Sequence, residues 1–597
     1  MSYQYPDVGA FHNGNATTFM VWAPERRHMD TVIADEIYPM RQDERGYWKV
    51  AVDGVGPGTP YMFRIDRKLT RPDPASMAQP ESVHGASVVT NRDFPWTDQH
   101  WKGLPLADMI IYELHVGTFT ASGTFDGVIS KLEYLRDLGI NVIELMPVAQ
   151  FPGRRNWGYD GVFPFAVQHS YGGFEGLKNL VDEAHRVGIA VVIDVVYNHL
   201  GPEGNYLHEY GPYFTDKYKT FWGSALNFDD AWCDGVRHYY WQNAGMWLEE
   251  FHIDGLRLDA VHAIWDFSAN HFIAELKSRA SAIQERTGKL KVLIAEFDLN
   301  NPRYINSPSR GGYGLDGQWI DEFHHALHAL VTGERDGYYE DFGDPDDLRA
   351  SLQHAYVYTG QYSRHRKKLF GALPDNLFSQ FVVFAQNHDQ VGNRPSGDRL
   401  SSILSFEALK LTAAAFILSP FVPMLFMGEE YGETNPFQYF ISHTDEELVA
   451  TVREGRKKEF SYFKSKGEVP DPQSEETFTK CILSHSYRED PNRAALFGYY
   501  KHLIHFRKNR SAMMASDRKS LTVYSVGNDE VVCFGRKSTS DHILVALNFS
   551  KSPQQIALPL KDGTRIFDSA SQQWNGPGEG AQDTLQPESA VVFELQS

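Results

Sequence analysis

The chain predicts an α/β protein, a (β/α)8 TIM barrel flanked by an N-terminal β-sandwich and a C-terminal β-domain. Three observations carry this. From about residue 105, eight apolar segments alternate with amphipathic helical stretches, the pattern of a parallel sheet with helical crossovers. Most of those segments begin apolar and finish in ionisable or polar residues, as the chemistry-bearing rim of such a barrel requires. At both ends of the chain the texture changes to short β-branched and aromatic runs broken by turn clusters.

Residues 1–95 read as the sandwich, of immunoglobulin-like or carbohydrate-module type. TTFMVWAP, GYWKVAV and PYMFRID are strand candidates, and GVGPGTP is a turn. RPDPASMAQPES, Arg71 to Ser82, is too rich in Pro and polar residues to form an element and is expected to be a linker. Residues 96–515 read as the barrel with insertions. Its strand candidates are MIIYELHV, NVIELMPV, IAVVIDVVYNH, IDGLRLDAV, KVLIAEFD, a weaker one around QWIDEFHHAL, QFVVFAQNHD and FVPMLFMGEE. Between the first two, Phe125, Val128, Leu132, Leu135 and Leu138 recur at helical spacing and Gly139 supplies a stop. Similar helices start near Phe174, Phe272 and Phe406. HTDEELVATVREGRKKEF is charged and helical, and GEVPDPQSEETF after it reads as an exposed loop. LTVYSV, EVVCFG and HILVALNFS open a C-terminal β-sandwich over 516–597.

Composition limits the partners. The 597 residues are 42% hydrophobic and 22% charged, without repeats, low-complexity tracts or an apolar run near the roughly 20 residues of a membrane helix. With 57 Lys and Arg against 77 Asp and Glu the net charge is −20, which repels phosphate backbones and anionic lipid. No nucleic acid and no membrane partner is expected, and a neutral ligand fits better. Aromatics at 13% suit stacking on sugar rings, and equally the cores of β-domains. The N-terminus lacks a basic start followed by an apolar stretch, so a cytoplasmic enzyme is expected. Cys233, Cys481 and Cys533 form neither a disulfide framework nor a metal spacing and read as packing residues. NHLGPEGN lacks the Asp-rich alternation of a calcium loop, and no glycine-rich phosphate or dinucleotide fingerprint follows a strand. No metal and no cofactor is therefore expected, and kinase or dehydrogenase chemistry is disfavoured.

Several strand ends carry candidate chemistry. In GLRLDAVH, Arg257 and Asp259 stand two apart and face one way on a strand, where a guanidinium keeps a carboxylate ionised. That suits a nucleophile attacking an anomeric carbon, although an ordinary ion pair has the same appearance. Glu296 in LIAEFD follows an apolar approach that raises a carboxyl pKa, as a general acid needs. Asp389 in AQNHDQ adds a third carboxylate, whose charge helps keep Glu296 protonated. His199 in DVVYNH and His388 are placed to donate hydrogen bonds to the same sugar. Two carboxyl groups about 5 to 5.5 Å apart give retention through a covalent intermediate, and adjacent strand ends are compatible with that spacing.

With DVVYNH, GLRLDAVH, IAEFD and QNHD in that order along one barrel, the sequence resembles the α-amylase family of glycoside hydrolases. The likeness covers nearly the whole chain, because β-domains also flank the barrel in branching and debranching members. It implies Asp259 as nucleophile, Glu296 as proton donor and Asp389 as transition-state stabiliser, with His199, Arg257 and His388 around the sugar at the cleavage point. A narrower likeness lies in RPDPASMAQP, RRNWGYDGV, DEFHHALH, VREGRKKEF and GEEYGETNPFQYF. It is to members that cut the α-1,4 bond next to the terminal trehalose unit of malto-oligosyltrehalose. This implies a neutral α-glucan substrate, functional coupling to malto-oligosyltrehalose synthase, and Tyr159, Asp160, His262, Asp321, Phe323, His324, His325 and Asn393 in the sugar-binding cleft. Phe297, directly after the acid, stands where a smaller residue is expected.

Without the resemblance, WGYDG is a glycine-bearing turn around core aromatics and DEFHHALH a helix with surface histidines. A glycogen branching enzyme, a transferase, shares every catalytic residue named; it usually shows a different residue after the Tyr of WGYDGV. A debranching hydrolase is a third reading. A non-catalytic glucan-binding protein would have one of the three carboxylates replaced, and none is.

Overall fold

The computed structural model describes residues 5–220, 223–460, 470–526, 529–556 and 563–595. At its centre eight parallel strands close on themselves: β1 (Ile111–Leu114), β2 (Val142–Leu145), β3 (Ala190–Val195), β4 (Gly255–Leu258), β5 (Val292–Ala295), β6 (Gly317–Trp319), β7 (Phe381–Phe384) and β8 (Val422–Phe426). Every strand candidate of the sequence in this region supplies one of them. β8 returns to β1 with Met424 opposite Ile111, which closes the ring.

Side chains alternate across a strand, so each strand sends every second residue inward. The inward residues are apolar in the lower half: Ile111, Val142, Val192, Ile294, Val382 and Met424 pack into one core around Trp319. Two residues further along, the same alternation points Glu113, Glu144, Asp194 and Arg257 into the upper half. The register sets Glu113 beside Glu144 and Asp194 beside Arg257. The outward residues, among them Leu114, Leu145, Ile193 and Leu256, are buried under the helices.

The segment expected as one helix after β1 forms two, Phe125–Ile129 and Leu132–Leu138. The apolar stripe Leu132, Leu135, Leu138 is buried, and Gly139 ends it with φ 107°. Helices Gly173–Arg186, Phe272–Thr287 and Phe406–Ile417 stand where expected. The weak sixth strand is short because the chain turns at Ile320 into a helix, Asp321–Thr332.

Two small sheets precede the barrel. One joins Gly9–His12, Ala16–Trp22, Tyr47–Asp53 and Arg41–Gln42; the other is built on Met29–Ile33 and Pro60–Ile65. Phe19 and Tyr61, one from each, meet at 4.7 Å between ring centroids, so the sheets pack face to face. The Pro-rich stretch after them is a connection without regular structure over most of its length, but it is not a loose tether. Asp73 and Ser76 are fully buried, and the hydroxyls of Tyr210 and Tyr239 donate to the carbonyls of Pro72 and Pro74 at 2.7 Å. Buried carbonyls outside regular structure need donors from elsewhere, and for Pro72 and Pro74 the barrel's tyrosines supply them.

After the barrel, Glu446–Phe460 is helical as expected. Of the loop expected from Gly467 to Phe478, residues 467–469 lie outside the described ones, and Glu475–Thr479 forms a short helix capped by Ser474. An antiparallel sheet then runs in the order Leu521–Tyr524, Val531–Lys537, His542–Asn548, Ser589–Glu594, Thr564–Asp568. Buried Arg507 and Arg536 bind it to the barrel: both donate to the carbonyl of Ser419, at 2.7 and 3.0 Å, at the turn leading into β8. Cys481 and Cys533 are buried and Cys233 partly so, all unpaired.

The N-terminal sheets dock through Trp22, 2% exposed, against the helix Cys233–Gly245. A Cβ on Gly235 would stand 2.2 Å from the Trp22 ring. Gly235→Ala is therefore expected to destabilise the protein by about 1–3 kcal/mol through overpacking. Urea melts of the variant read this directly, and an unchanged midpoint would show that the seam yields freely.

Candidate active site

The upper layer of the barrel is organised by Arg257. Its side chain is fully buried, with the guanidinium carbon 4.3 Å above the Trp319 ring. Nη1 donates to Asp194 at 2.6 Å and to Asp259 at 2.8 Å, and Nη2 lies 3.5 Å from Glu296. One planar cation thus faces carboxylates from three successive strands. Burial works against its charge, but Asp194, Tyr159, Asp259 and Glu296 together hold its pKa well above the ordinary value.

Asp259 follows the end of β4. Asn198 donates to both its backbone carbonyl, at 2.8 Å, and its Oδ2, at 2.7 Å, which leaves the side chain 13% exposed at the rim. The next residue, Ala260, takes a left-handed conformation, φ 39°, unusual for a residue with a Cβ. This turns its N–H onto Glu296 Oε2 at 2.7 Å. Glu296 ends β5 and is 15% exposed. Burial pushes its carboxyl up to about 8; Arg257 opposes this, and the charges of Asp259, Asp321 and Asp389 add to it. Phe297 turns away into the core, 3% exposed, against Tyr304 at 4.3 Å, so its bulk is absorbed beneath the rim.

Asp389 lies at the start of a short helix after β7 and is the most open of the three carboxylates, 47% exposed. His388 beside it is buried. Its Nδ1 meets Glu113 at 2.5 Å and its Nε2 meets the Tyr159 hydroxyl at 2.8 Å, while that hydroxyl donates to Asp194 at 2.5 Å. Both ring nitrogens are left with donor roles, which requires the imidazolium. Burial lowers the His388 pKa, but Glu113 and then Asp389 raise it to about 9. His199 is different: burial lowers its pKa, and its ring meets the Tyr159 carbonyl at 3.1 Å and Asn198 at 2.5 Å.

The WGYDG turn supplies one wall. Gly158 has φ 107°, and a Cβ there would stand 2.2 Å from the Pro147 carbonyl. Trp157 stacks on Phe437 at 5.2 Å and meets His388 edge-on, while Tyr159 stacks on His388. The turn is thus both a glycine-bearing turn around aromatics and part of the site. Asp160 takes a hydrogen bond from Asn156 at 2.6 Å, and Asn393 donates to Asp389 at 3.2 Å.

Asp259, Glu296, Asp389, Arg257, His388, His199, Tyr159, Asp160 and Asn393 therefore gather at one rim, joined by Asp321, whose carboxyl burial pushes up to about 7. Three expected cleft residues do not join them. Phe323 is fully buried against Phe421, and His324 is spent on the Ala385 carbonyl at 2.6 Å and Tyr339 at 2.9 Å. His325 packs on Tyr338 and Phe342. The histidines lie neither in the cleft nor on the surface, because the helix packs that face under its neighbours. His262 is exposed and opens onto an adjoining groove.

Sequence reasoning missed Glu113, Glu144 and Asp194. Their signal was available: YELH, VIEL and VIDV each place an acid inside an apolar strand, on the inward face. Conversely, ionisable strand ends are not all part of this site. His115 is enclosed by Asn156 and Thr118, with its pKa lowered by burial to about 4, and Glu430 accepts from Tyr112 at 3.0 Å.

Residues 92–235 match the model of the alpha amylase catalytic domain. The chain is 46% identical, over 91% of its length and 96% of the relative's, to malto-oligosyltrehalose trehalohydrolase of Saccharolobus solfataricus. It is 26% identical, over 70% of its length and 67% of the relative's, to a 1,4-alpha-glucan branching enzyme of Clostridium perfringens. A crystal structure from Salmonella typhimurium, whose protein is assigned as an alpha amylase, superposes with a TM-score of 0.91 at 35% identity and covers 99% of this chain and 100% of that one. No helix among the described residues is long and apolar enough to cross a membrane. The chain belongs to the malto-oligosyltrehalose trehalohydrolases, within the α-amylase family of glycoside hydrolases.

Proposed function

We propose that this enzyme cleaves the α-1,4-glucosidic bond next to the terminal trehalose unit of malto-oligosyltrehalose, with retention, releasing trehalose and a malto-oligosaccharide. The observation that carries the chemistry is the shared guanidinium: Arg257 faces Asp259 with one nitrogen and Glu296 with the other. Two carboxyl groups held on one planar group suit the closer glycosidase geometry, about 5 to 5.5 Å, in which one carboxylate attacks directly. The trehalose-specific substrate is supported by the kinship with the trehalohydrolases.

In this reading Asp259, paired with Arg257, attacks the anomeric carbon. Glu296, protonated, gives its proton to the departing glycosidic oxygen, and trehalose leaves. Glu296, now ionised, takes a proton from water, whose oxygen displaces Asp259 and frees the malto-oligosaccharide. Asp389 holds sugar hydroxyls and favours the positive charge that builds at the ring. His388, His199, Tyr159, Asp160 and Asn393 bind the sugar at the cleavage point. A cytoplasmic setting, with substrate supplied by a malto-oligosyltrehalose synthase, belongs to the same reading; three unpaired cysteines suit a reducing compartment.

Incubation with maltotriosyltrehalose is expected to give trehalose and maltotriose, with little action on amylose. Rearranged amylose without trehalose would make the enzyme a transferase instead. Asp259→Asn is expected to lower kcat by about three or more powers of ten, since an amide cannot form the glycosyl ester, while the protein stays folded. Near-native turnover would remove Asp259 from the nucleophile's role.

The pH dependence follows from Glu296. Its proton is held up to about 8, so kcat/KM should fall as pH rises through that value. Asp321→Asn removes one charge that supports the proton and should move this alkaline limb to lower pH. Stability carries the same sign. A carboxyl whose folded pKa is raised contributes fully below the ordinary carboxylate range and loses that contribution as pH rises through about 8. Glu296→Gln should therefore melt with less pH dependence between about 5 and 8 than the native enzyme, and parallel curves would contradict the shift.

A further inference from the structure

Around Asp160, segments from distant parts of the chain are tied together by one carboxylate. Glu203, in the NHLGPEGN connection after β3, is buried. Its oxygens accept from the Thr444 hydroxyl, from the Thr444 N–H at 3.0 Å and from His443 Nδ1 at 3.0 Å, and His84 Nε2 lies 3.3 Å away. Burial raises its pKa, but the Thr444 contacts, with His84 and His443, outweigh that and lower it. Three segments meet on this acid: its own loop, the connection from the N-terminal sheets, and the stretch after β8 that leads into the helix Glu446–Phe460. In that last stretch Ser442 accepts from the N–H groups of Arg154 and Arg155, both at 2.9 Å, at the root of the WGYDG turn.

His443 stands between two acids. Its side chain is buried; Nδ1 donates to Glu203, and Nε2 lies 3.7 Å from Asp160 Oδ2. Gln473 donates to the His443 carbonyl at 2.8 Å, so the backbone is fixed as well as the ring. Asp160 lacks other restraint on its side chain. Its backbone is confined, because Gly201 packs so closely on its carbonyl that a Cβ there would stand 2.2 Å away. Its carboxylate, however, is 21% exposed, and its one hydrogen bond among the described residues comes from Asn156 to Oδ2 at 2.6 Å. A carboxylate held by a single bond at one oxygen can still turn about that bond. A second group facing the same oxygen opposes the turn and leaves Oδ1 for a sugar hydroxyl.

We propose that His443 is a positioning residue for the hydrolysis: anchored on Glu203, it aims the Asp160 carboxylate at the sugar bound at the cleavage point. Without the ring, two carboxylates would face each other across a buried gap, and Asp160 would swing towards solvent, away from its hydroxyl partner. The inference rests on the reading of Asp160 as a sugar ligand given above, and not on trehalose specificity.

Two amides separate the two contacts of the ring. His443→Asn sets its amide nitrogen near the place of Nδ1 and keeps the bond to Glu203, whereas His443→Gln reaches the place of Nε2 and keeps the donor that faces Asp160. Initial rates on maltotriosyltrehalose and on maltopentaose are compared for the native enzyme, these two variants, Asp160→Ala, and the double variant of Asp160→Ala with His443→Asn. His443→Asn is expected to fold as the native enzyme does and to lower kcat/KM roughly three- to tenfold, the size of one hydrogen-bonding contact, with a smaller loss in His443→Gln. In the Asp160→Ala background His443→Asn should cost nothing more, since its route to the sugar is gone. A native rate in His443→Asn, the reverse order of the two amides, a silent Asp160→Ala, or losses that add in the double variant would each overturn the proposal. Cleavage of maltopentaose alone would overturn only the trehalose reading, because the same cycle on that glucan still decides the role of His443. A crystal structure of His443→Asn needs no turnover: the Asp160 carboxylate should be rotated from its native place, and an unmoved carboxylate would overturn the proposal as well.

Discussion

One buried cation organises this molecule's chemistry. Arg257 is the sole cation in direct contact with Asp194, Asp259 and Glu296 among the described residues, and Glu144 lies within reach of its field. In a low-dielectric interior a single guanidinium cannot hold that many carboxylates ionised. The balance is struck by protons. Burial pushes Glu144 far above the carboxylate range, Glu296 to about 8 and Asp194 to about 6. Asp259 receives the 2.8 Å contact and Glu296 the 3.5 Å one, so one cation divides two chemically identical groups into unlike partners.

A second, separate pair mirrors this below the rim. Glu113 fixes His388 as an imidazolium, and Tyr159 joins the two networks by donating to Asp194 while accepting from His388. The hydrogen-bond directions along this chain leave little freedom. Altering any member changes the donor and acceptor roles of the next.

Much of this was legible in the sequence because the barrel obeys a period of two. Eight apolar segments ending in polar residues specify strands, and alternation along VIEL, VIDV and GLRLD tells which side chains share the interior. The four ordered motifs located the three carboxylates and the histidines at the rim. What was misread has a physical pattern. DEFHHALH was placed in the cleft as a block, yet a helix distributes consecutive residues around its axis, so Asp321 reaches the rim while Phe323 turns into the core. His324 and His325 share the face of Asp321 but stand a turn further along, where Ala385, Tyr339 and Tyr338 cover them. The Pro-rich stretch near residue 75 read as a linker because its composition forbids regular structure; composition does not tell whether the carbonyls so exposed find donors, and here tyrosines from the barrel supply them.

The sequence by itself determined the strands, their inward faces, the order of the motifs and the residues that could do carbohydrate chemistry, since these depend on local periodicity and side-chain type. Only the tertiary structure decided which of those residues meet. The contact of Arg257 with Glu296 depends on the register between neighbouring strands, and the pairing of Glu113 with His388 spans 275 residues of chain. The hydrogen bonds that Asp229 accepts from the Tyr218 hydroxyl and the Phe267 N–H likewise join residues from separate connections of the barrel. Burial, which sets the protonation of Glu296, is a property of the closed barrel, and no stretch of the chain carries it alone.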